Sequence, residues 1–325
     1  MSSKRHLFQI RSKSSVDLSP LHNFKPRVNV LKIKSREKAL EIVGSDNTFK
    51  VVKSALNLVF RWNPTTKVTV DMVALVGSIA LAILEHRKLA QKHDEDLSEL
   101  LKDSLYREAA LMANDVYEDE SKMFCGGWEE SHEFQDLCFN DEKSGLKSRL
   151  YCRTINGRKE YMYATAGTRN IKDWMHNLFQ VVGASSQYSG SLQVAKDLSE
   201  RIGALGGILH FTGHSQGGGE ATCNALATGN RAIVFNPAGL SNLTMRFHGI
   251  HCGKTGMVDL VTNFIVDNDP LNILQDAINK HPIAGLPVPV TKGRRFYIQS
   301  QSKSWRSHSM DDILNTFTAY LPYNA

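Results

Sequence analysis

The stretch Gly207-Ile-Leu-His-Phe-Thr-Gly-His-Ser-Gln-Gly-Gly-Gly219 decides how this chain of 325 residues folds. Its first half is an apolar run of the length of a buried strand. Its second half opens a helix of small residues, Gly218 to about Thr228, with Ala221 and Ala225 on it. Ser215 stands at the sharp turn between them, with Gly213 two residues before it and Gly217 two after. Glycine at those two places lets a strand and a helix pass close together, so the serine is held in a strained backbone conformation and presented at the helix N-terminus. There the backbone N–H of Gln216 and the helix dipole can stabilise an oxyanion.

Outward from this elbow, the period of the sequence keeps changing. Leu150-Tyr-Cys-Arg-Thr-Ile155 and Glu160-Tyr-Met-Tyr-Ala-Thr165 flank Asn156-Gly157, which predicts a β-hairpin with a tight turn. A helix is expected near 170–180 and another near 191–203. Short apolar runs at Ala232–Phe235, Phe264–Val266 and Phe296–Ile298 read as further strands, and Met310–Leu321 as a terminal helix. Upstream, Leu97, Leu100, Leu101, Leu105, Ala109, Met112 and Val116 recur at helical spacing. Trp128 and Phe134 read as packing residues. Strands alternating with helices predict an α/β chain of the α/β-hydrolase fold, a mostly parallel sheet with helices on both faces. The expected organisation is a basic extension over residues 1–70, then a domain over 71–325 whose first part, 71–120, is a helical lead-in.

A nucleophilic serine needs a histidine to take its proton and an acid to orient that histidine. In α/β-hydrolases they follow the serine in the order acid, then histidine. Asp269 is the preferred acid, because Phe264-Ile-Val-Asp-Asn-Asp-Pro270 reads as a strand running into a proline-marked loop; Asp267 is its rival. His308 is the preferred base, lying after the strand at Phe296–Ile298 and before the terminal helix. His214 adjoins the nucleophile and cannot turn back onto it, and His210 is in mid-strand. His248 and His251 precede the acid, and His281 precedes the last strand.

The segment Thr212-Gly-His-Ser-Gln-Gly-Gly218 is similar to the nucleophile motif of the class 3, fungal-type lipases. Tyr163-Ala-Thr-Ala-Gly-Thr-Arg-Asn-Ile-Lys-Asp-Trp174 resembles that family's oxyanion loop. The resemblance covers about residues 100–321. It implies that Thr168, after the loop glycine, supplies a second oxyanion donor beside Gln216. Ala166 stands where the family usually has arginine. The resemblance also implies a lid directly after this loop, where Ile171, Trp174, Met175 and Leu178 share one helical face. A helix docking that face on the sheet is the alternative. A lid would expose an apolar patch that a lipid interface could stabilise.

The charge is uneven: the net value is +6, yet the first 61 residues alone hold 13 Lys or Arg against four Asp or Glu. Such an arm suits anionic lipid head groups or solvent, and peripheral contact with a membrane is one reading. The chain has no basic motif interleaved with aromatics and no zinc spacing, so nucleic acid is not an expected partner. Met72–Leu84 is too short to span a bilayer and reads as a buried or membrane-surface helix. The first apolar run comes well past Lys53, so no signal peptide is expected, which fits a cytoplasmic enzyme or export without a cleavable signal. The five cysteines show no metal spacing, and a Cys125–Cys138 bridge is open only for a secreted chain.

These residues point to a serine ester hydrolase, lipase or phospholipase, that forms an acyl-enzyme and needs no metal or cofactor. A carboxylesterase or thioesterase on small soluble esters, and a non-catalytic binding protein of the same fold, remain the other readings. The sequence does not indicate an oligomeric state or which ester is cleaved.

Overall fold

The structure is a computed structural model that describes residues 72–123, 125–167, 186–250, 257–280, 289–300 and 308–320. Three helices lead in: α1 (Met72–Lys92), α2 (Asp94–Leu100) and α3 (Ser104–Asp115). The single helical pattern read over 97–116 is thus two helices. Asp103 separates them, and its carboxylate caps α3 by accepting from the Leu105 amide at 3.0 Å.

Among the described residues, eight strands form one sheet. The short strands β1 (Glu129–Glu130) and β2 (Asn140–Asp141) both pair with β3 (Leu146–Ile155), which turns antiparallel into β4 (Arg158–Thr165). The turn is the expected Asn156-Gly157, with φ of 51° and 76°. Both residues are left-handed, which matches the right-handed twist of the flanking strands. From β4 the sheet is parallel through β5 (Ile208–His214), β6 (Arg231–Phe235), β7 (Val261–Val266) and β8 (Arg294–Ile298), in sequence order.

Alternation along the strands sends side chains into two cores. On one face Tyr151, Met162, Phe235, Phe264 and Ile298 pack with α2, α3 and the terminal helix α8 (Met310–Tyr320). On the other, Tyr163, Phe211, Val234 and Val261 pack with α4 (Ser186–Ala204) and α5 (Gln216–Thr228). Between β6 and β7 lies a short helix α6 (Asn242–Phe247), and between β7 and β8 lies α7 (Pro270–Lys280). The fold is an α/β-hydrolase sheet with helices on both faces.

α1 is longer than the apolar run read from the sequence. It packs on α7 and β8, burying Ile79, Ala82 and Ile83. Leu81 and Leu84 on its other side are 47% and 45% exposed. Among the described residues no helix is long and apolar enough to cross a membrane. Trp128 is buried in the first core, and Phe134 packs against the second. Cys125 and Cys138 are free thiols. Residues 1–70 and the helix expected near 170–180 lie outside the described residues.

Candidate active site

The elbow takes the form its sequence requires. β5 ends at His214, α5 begins at Gln216, and Ser215 between them has φ 58° and ψ −124°. A non-glycine residue at positive φ is strained, and strain persists only where the surroundings over-determine it. Here the Ser215 amide donates to the Phe235 carbonyl at 3.1 Å, and its carbonyl accepts from the Ala238 amide at 2.8 Å and the Gly219 amide at 3.2 Å. The crossing of strand and helix admits no side chain. A Cβ on Gly217 would stand 2.1 Å from the Thr165 carbonyl oxygen, and one on Gly213 would stand 2.5 Å from the Gly217 backbone.

The ends of β7 and β8 bring the other candidates to Ser215. His308, two residues before the start of α8, lies with Nε2 at 2.9 Å from Ser215 Oγ. Its Nδ1 lies 2.5 Å from Asp269 Oδ2. A carboxylate oxygen accepts, so Nδ1 carries the proton and Nε2 faces the serine hydroxyl as an acceptor. Asp269 is held from its other oxygen: Oδ1 accepts from the Asn272 amide at 2.8 Å and from Asn272 Nδ2 at 3.0 Å. All three groups are buried, with Ser215 and Asp269 wholly inaccessible.

Asn272 was not singled out from the sequence, although its signal is there. Asp269-Pro270 opens a helix, with the aspartate as N-cap and proline at the first helical position. The proline-marked loop expected after Asp269 is therefore the first turn of α7, and the carboxylate that meets His308 is also that helix's cap. The rival Asp267 points elsewhere: its Oδ1 accepts from the Ser300 amide at 3.2 Å. Burial pushes the Asp267 carboxyl above the usual range, against the pull of that amide.

His214, expected not to turn back onto Ser215, bonds instead to two neighbours of the site. Its Nε2 lies 2.6 Å from the His308 carbonyl oxygen and its Nδ1 lies 3.2 Å from the Tyr117 hydroxyl. Burial, with His308 beside it, holds the His214 imidazole well below its ordinary pKa, so the ring is neutral. His210, in mid-strand, instead bonds Glu160 at 2.9 Å. Of the two expected oxyanion donors, Gln216 opens α5, whose first amides have no partner within the helix. Thr168 lies outside the described residues, as do Ile171, Trp174, Met175 and Leu178 of the expected lid. The residue before Thr168 is described: Gly167 stands beside Ser215, where an added Cβ would come 3.2 Å from the serine Cβ. Among the described residues no group of three or more His, Cys, Asp or Glu could hold a metal ion.

Comparison with known proteins gives this arrangement a family. A phospholipase-like family model, the Tle-like phospholipase domain, matches residues 108–319. An extracellular phospholipase A1 of Serratia liquefaciens is 38% identical over 112 residues, which are 34% of this chain and 33% of that protein. The chain thus spans about a third of the length of the curated relative it matches. Among solved structures, a propeptide complex of the Rhizomucor miehei lipase aligns at 12% identity and a TM-score of 0.39, covering 70% of this chain and 78% of that one. A hyperthermophilic esterase from the archaeon Pyrobaculum calidifontis aligns at 11% identity and a TM-score of 0.30, covering 73% and 95%. The family match runs from within α3 into α8, across the whole parallel sheet and every candidate group named above, and the chain belongs to the family of Tle-like phospholipase domains.

Proposed function

We propose that the protein hydrolyses acyl esters of lipids, with phospholipids as the leading substrate class, and that Ser215, His308 and Asp269 form its catalytic relay. The observation that carries this reading is the buried, hydrogen-bonded line from Ser215 Oγ through His308 to Asp269, at 2.9 and 2.5 Å. Ser215 attacks the ester carbonyl while His308 Nε2 takes its proton. The resulting oxyanion is held by the Gln216 N–H and, by likeness to class 3 lipases, by Thr168. Collapse expels the alcohol, which takes the proton back from His308, and leaves an acyl-enzyme. Water then attacks that ester by the same route, with His308 as base, and releases the fatty acid. Asp269 keeps the imidazole in the tautomer that this sequence needs.

Likeness to the Serratia relative, a phospholipase A1, favours the sn-1 ester of a glycerophospholipid as the bond cleaved. A lid over residues 171–178 and contact of the basic arm with an anionic lipid surface fit the same reading. The test is hydrolysis of phospholipid vesicles carrying different acyl chains at sn-1 and sn-2, by the full chain and by Ser215→Ala. Release of the sn-1 acid by the parent, lost in a folded Ser215→Ala, is the expected result. Undiminished release by that variant would remove Ser215 as the nucleophile, and release of the sn-2 acid alone would remove the regiochemistry.

A further inference from the structure

Resting on the relay just proposed, we infer that Tyr117 and His214 are positioning residues that lock the base loop and the oxyanion loop to one another. The bond directions are fixed by chemistry. The His308 carbonyl can only accept, so His214 Nε2 carries the ring proton and donates to it at 2.6 Å. The ring is neutral, so Nδ1 accepts from the Tyr117 hydroxyl at 3.2 Å. The same hydroxyl oxygen accepts the Gly167 N–H at 2.8 Å. One line therefore runs from the amide before the expected oxyanion donor Thr168, through Tyr117 and His214, to the backbone of the proton acceptor.

The turn that carries Tyr117 is itself anchored. Tyr117 follows the C-terminus of α3, where carbonyls lack helical partners and positive charge is favoured. Arg149 of β3 supplies it: Nη1 donates to the Asp115 carbonyl and carboxylate, both at 2.9 Å, and Nη2 to the Glu118 and Asp119 carbonyls at 3.2 Å. Lys147 Nζ donates to the Tyr117 carbonyl at 2.9 Å, while the Lys147 carbonyl accepts the Ala166 amide at 2.9 Å. The first residues of the oxyanion loop and the Tyr117 turn thus hang from the same strand. Tyr117 and His214 act through the groups they bond. They set where the Ser215 hydroxyl finds its base and where the loop amides stand.

The experiment is steady-state hydrolysis of p-nitrophenyl butyrate by the full chain, alongside Tyr117→Phe, His214→Gln, His214→Leu, the Tyr117→Phe/His214→Gln double variant and Ser215→Ala. Tyr117→Phe keeps the ring and loses the hydroxyl, and should lower kcat about 10- to 100-fold with KM within about twofold and the Tm little changed. His214→Gln keeps an amide donor for the His308 carbonyl, and should retain more activity than His214→Leu. In the double variant the losses should overlap rather than multiply, because both substitutions break one line. If Ser215→Ala is inactive but Tyr117→Phe stays within about threefold of the parent kcat, the positioning role fails while the relay stands. Losses that multiply in the double variant would overturn the shared line as well. An active Ser215→Ala would remove the relay, and this inference with it. Should His214→Gln fail to fold, the kcat and KM of Tyr117→Phe still decide.

Discussion

Asp267 and Asp269 end the same strand two residues apart, and their surroundings separate two side chains that composition cannot. Asp269 meets His308 on one oxygen and two Asn272 donors on the other. Asp267 meets the Ser300 amide and reaches no histidine nitrogen within hydrogen-bond range among the described residues. Asp269→Asn would present an amide donor or a weaker acceptor to His308 Nδ1 and disfavour the working tautomer. The expected loss in kcat is about 10⁴-fold, against less than about tenfold for Asp267→Asn. Steady-state kinetics on both variants check this, and equal losses would refute the assignment. The sequence preferred Asp269 yet kept Asp267 as its rival, because it gives order along the chain, not the direction of a side chain. Ser215 and His308 were legible as candidates because a strained elbow and a late loop histidine are tied to chain order. It was silent on Tyr117, whose partners Gly167 and His214 are 50 and 97 residues away.

At the scale of elements, the legible parts are those whose signal is local. The hairpin followed from Asn156-Gly157, and the elbow from Gly213 and Gly217 flanking Ser215 at the end of an apolar run. α7 was missed because Asp-Pro marks both a turn and a helix start, and only the amide of Asn272 bonding back to Asp269 resolves which. The contact of β4 with α5 is where element packing bears most directly on the site. Thr165 Oγ1 donates to the Gly217 carbonyl at 2.8 Å, tying the end of the strand to the first turn of the helix. Gly217→Ala would drive its Cβ against the Thr165 carbonyl, an atom with no rotamer to escape into. The expected cost is about 2 kcal/mol or more of stability, with activity falling further as Ser215 moves with the helix. Chemical denaturation and kinetics read both, and a variant of parent stability would show that the crossing can open.

Across the whole molecule, two buried carboxyls pull stability in opposite directions with pH. Burial pushes the Asp115 carboxyl up, but bonds from Tyr151, the Lys122 amide and Ser121, with the charge of Arg149, more than reverse this and leave it below the ordinary range. Its contribution is present above the unfolded carboxylate pKa and is lost as pH falls. Glu220, one turn past Ser215 in α5, is wholly buried and touches Gln216 Nε2 at 3.3 Å through Oε1, while Oε2 has no hydrogen-bond partner among the described residues. Burial raises it to about 8. A raised carboxyl means that the folded chain holds a proton the unfolded chain has released. Stability is therefore full below the ordinary value of 4.5, declines as pH rises toward about 8, and is level above it. Glu220→Gln keeps the oxygen that accepts from Gln216 and replaces the acid with a group that never ionises. The Tm of this variant relative to the parent should rise steadily between about pH 5 and pH 8 and then flatten. The gap should correspond to a few kcal/mol where both chains fold reversibly, and a gap independent of pH would show that Glu220 is ionised throughout, with a partner for its charge that burial alone does not provide.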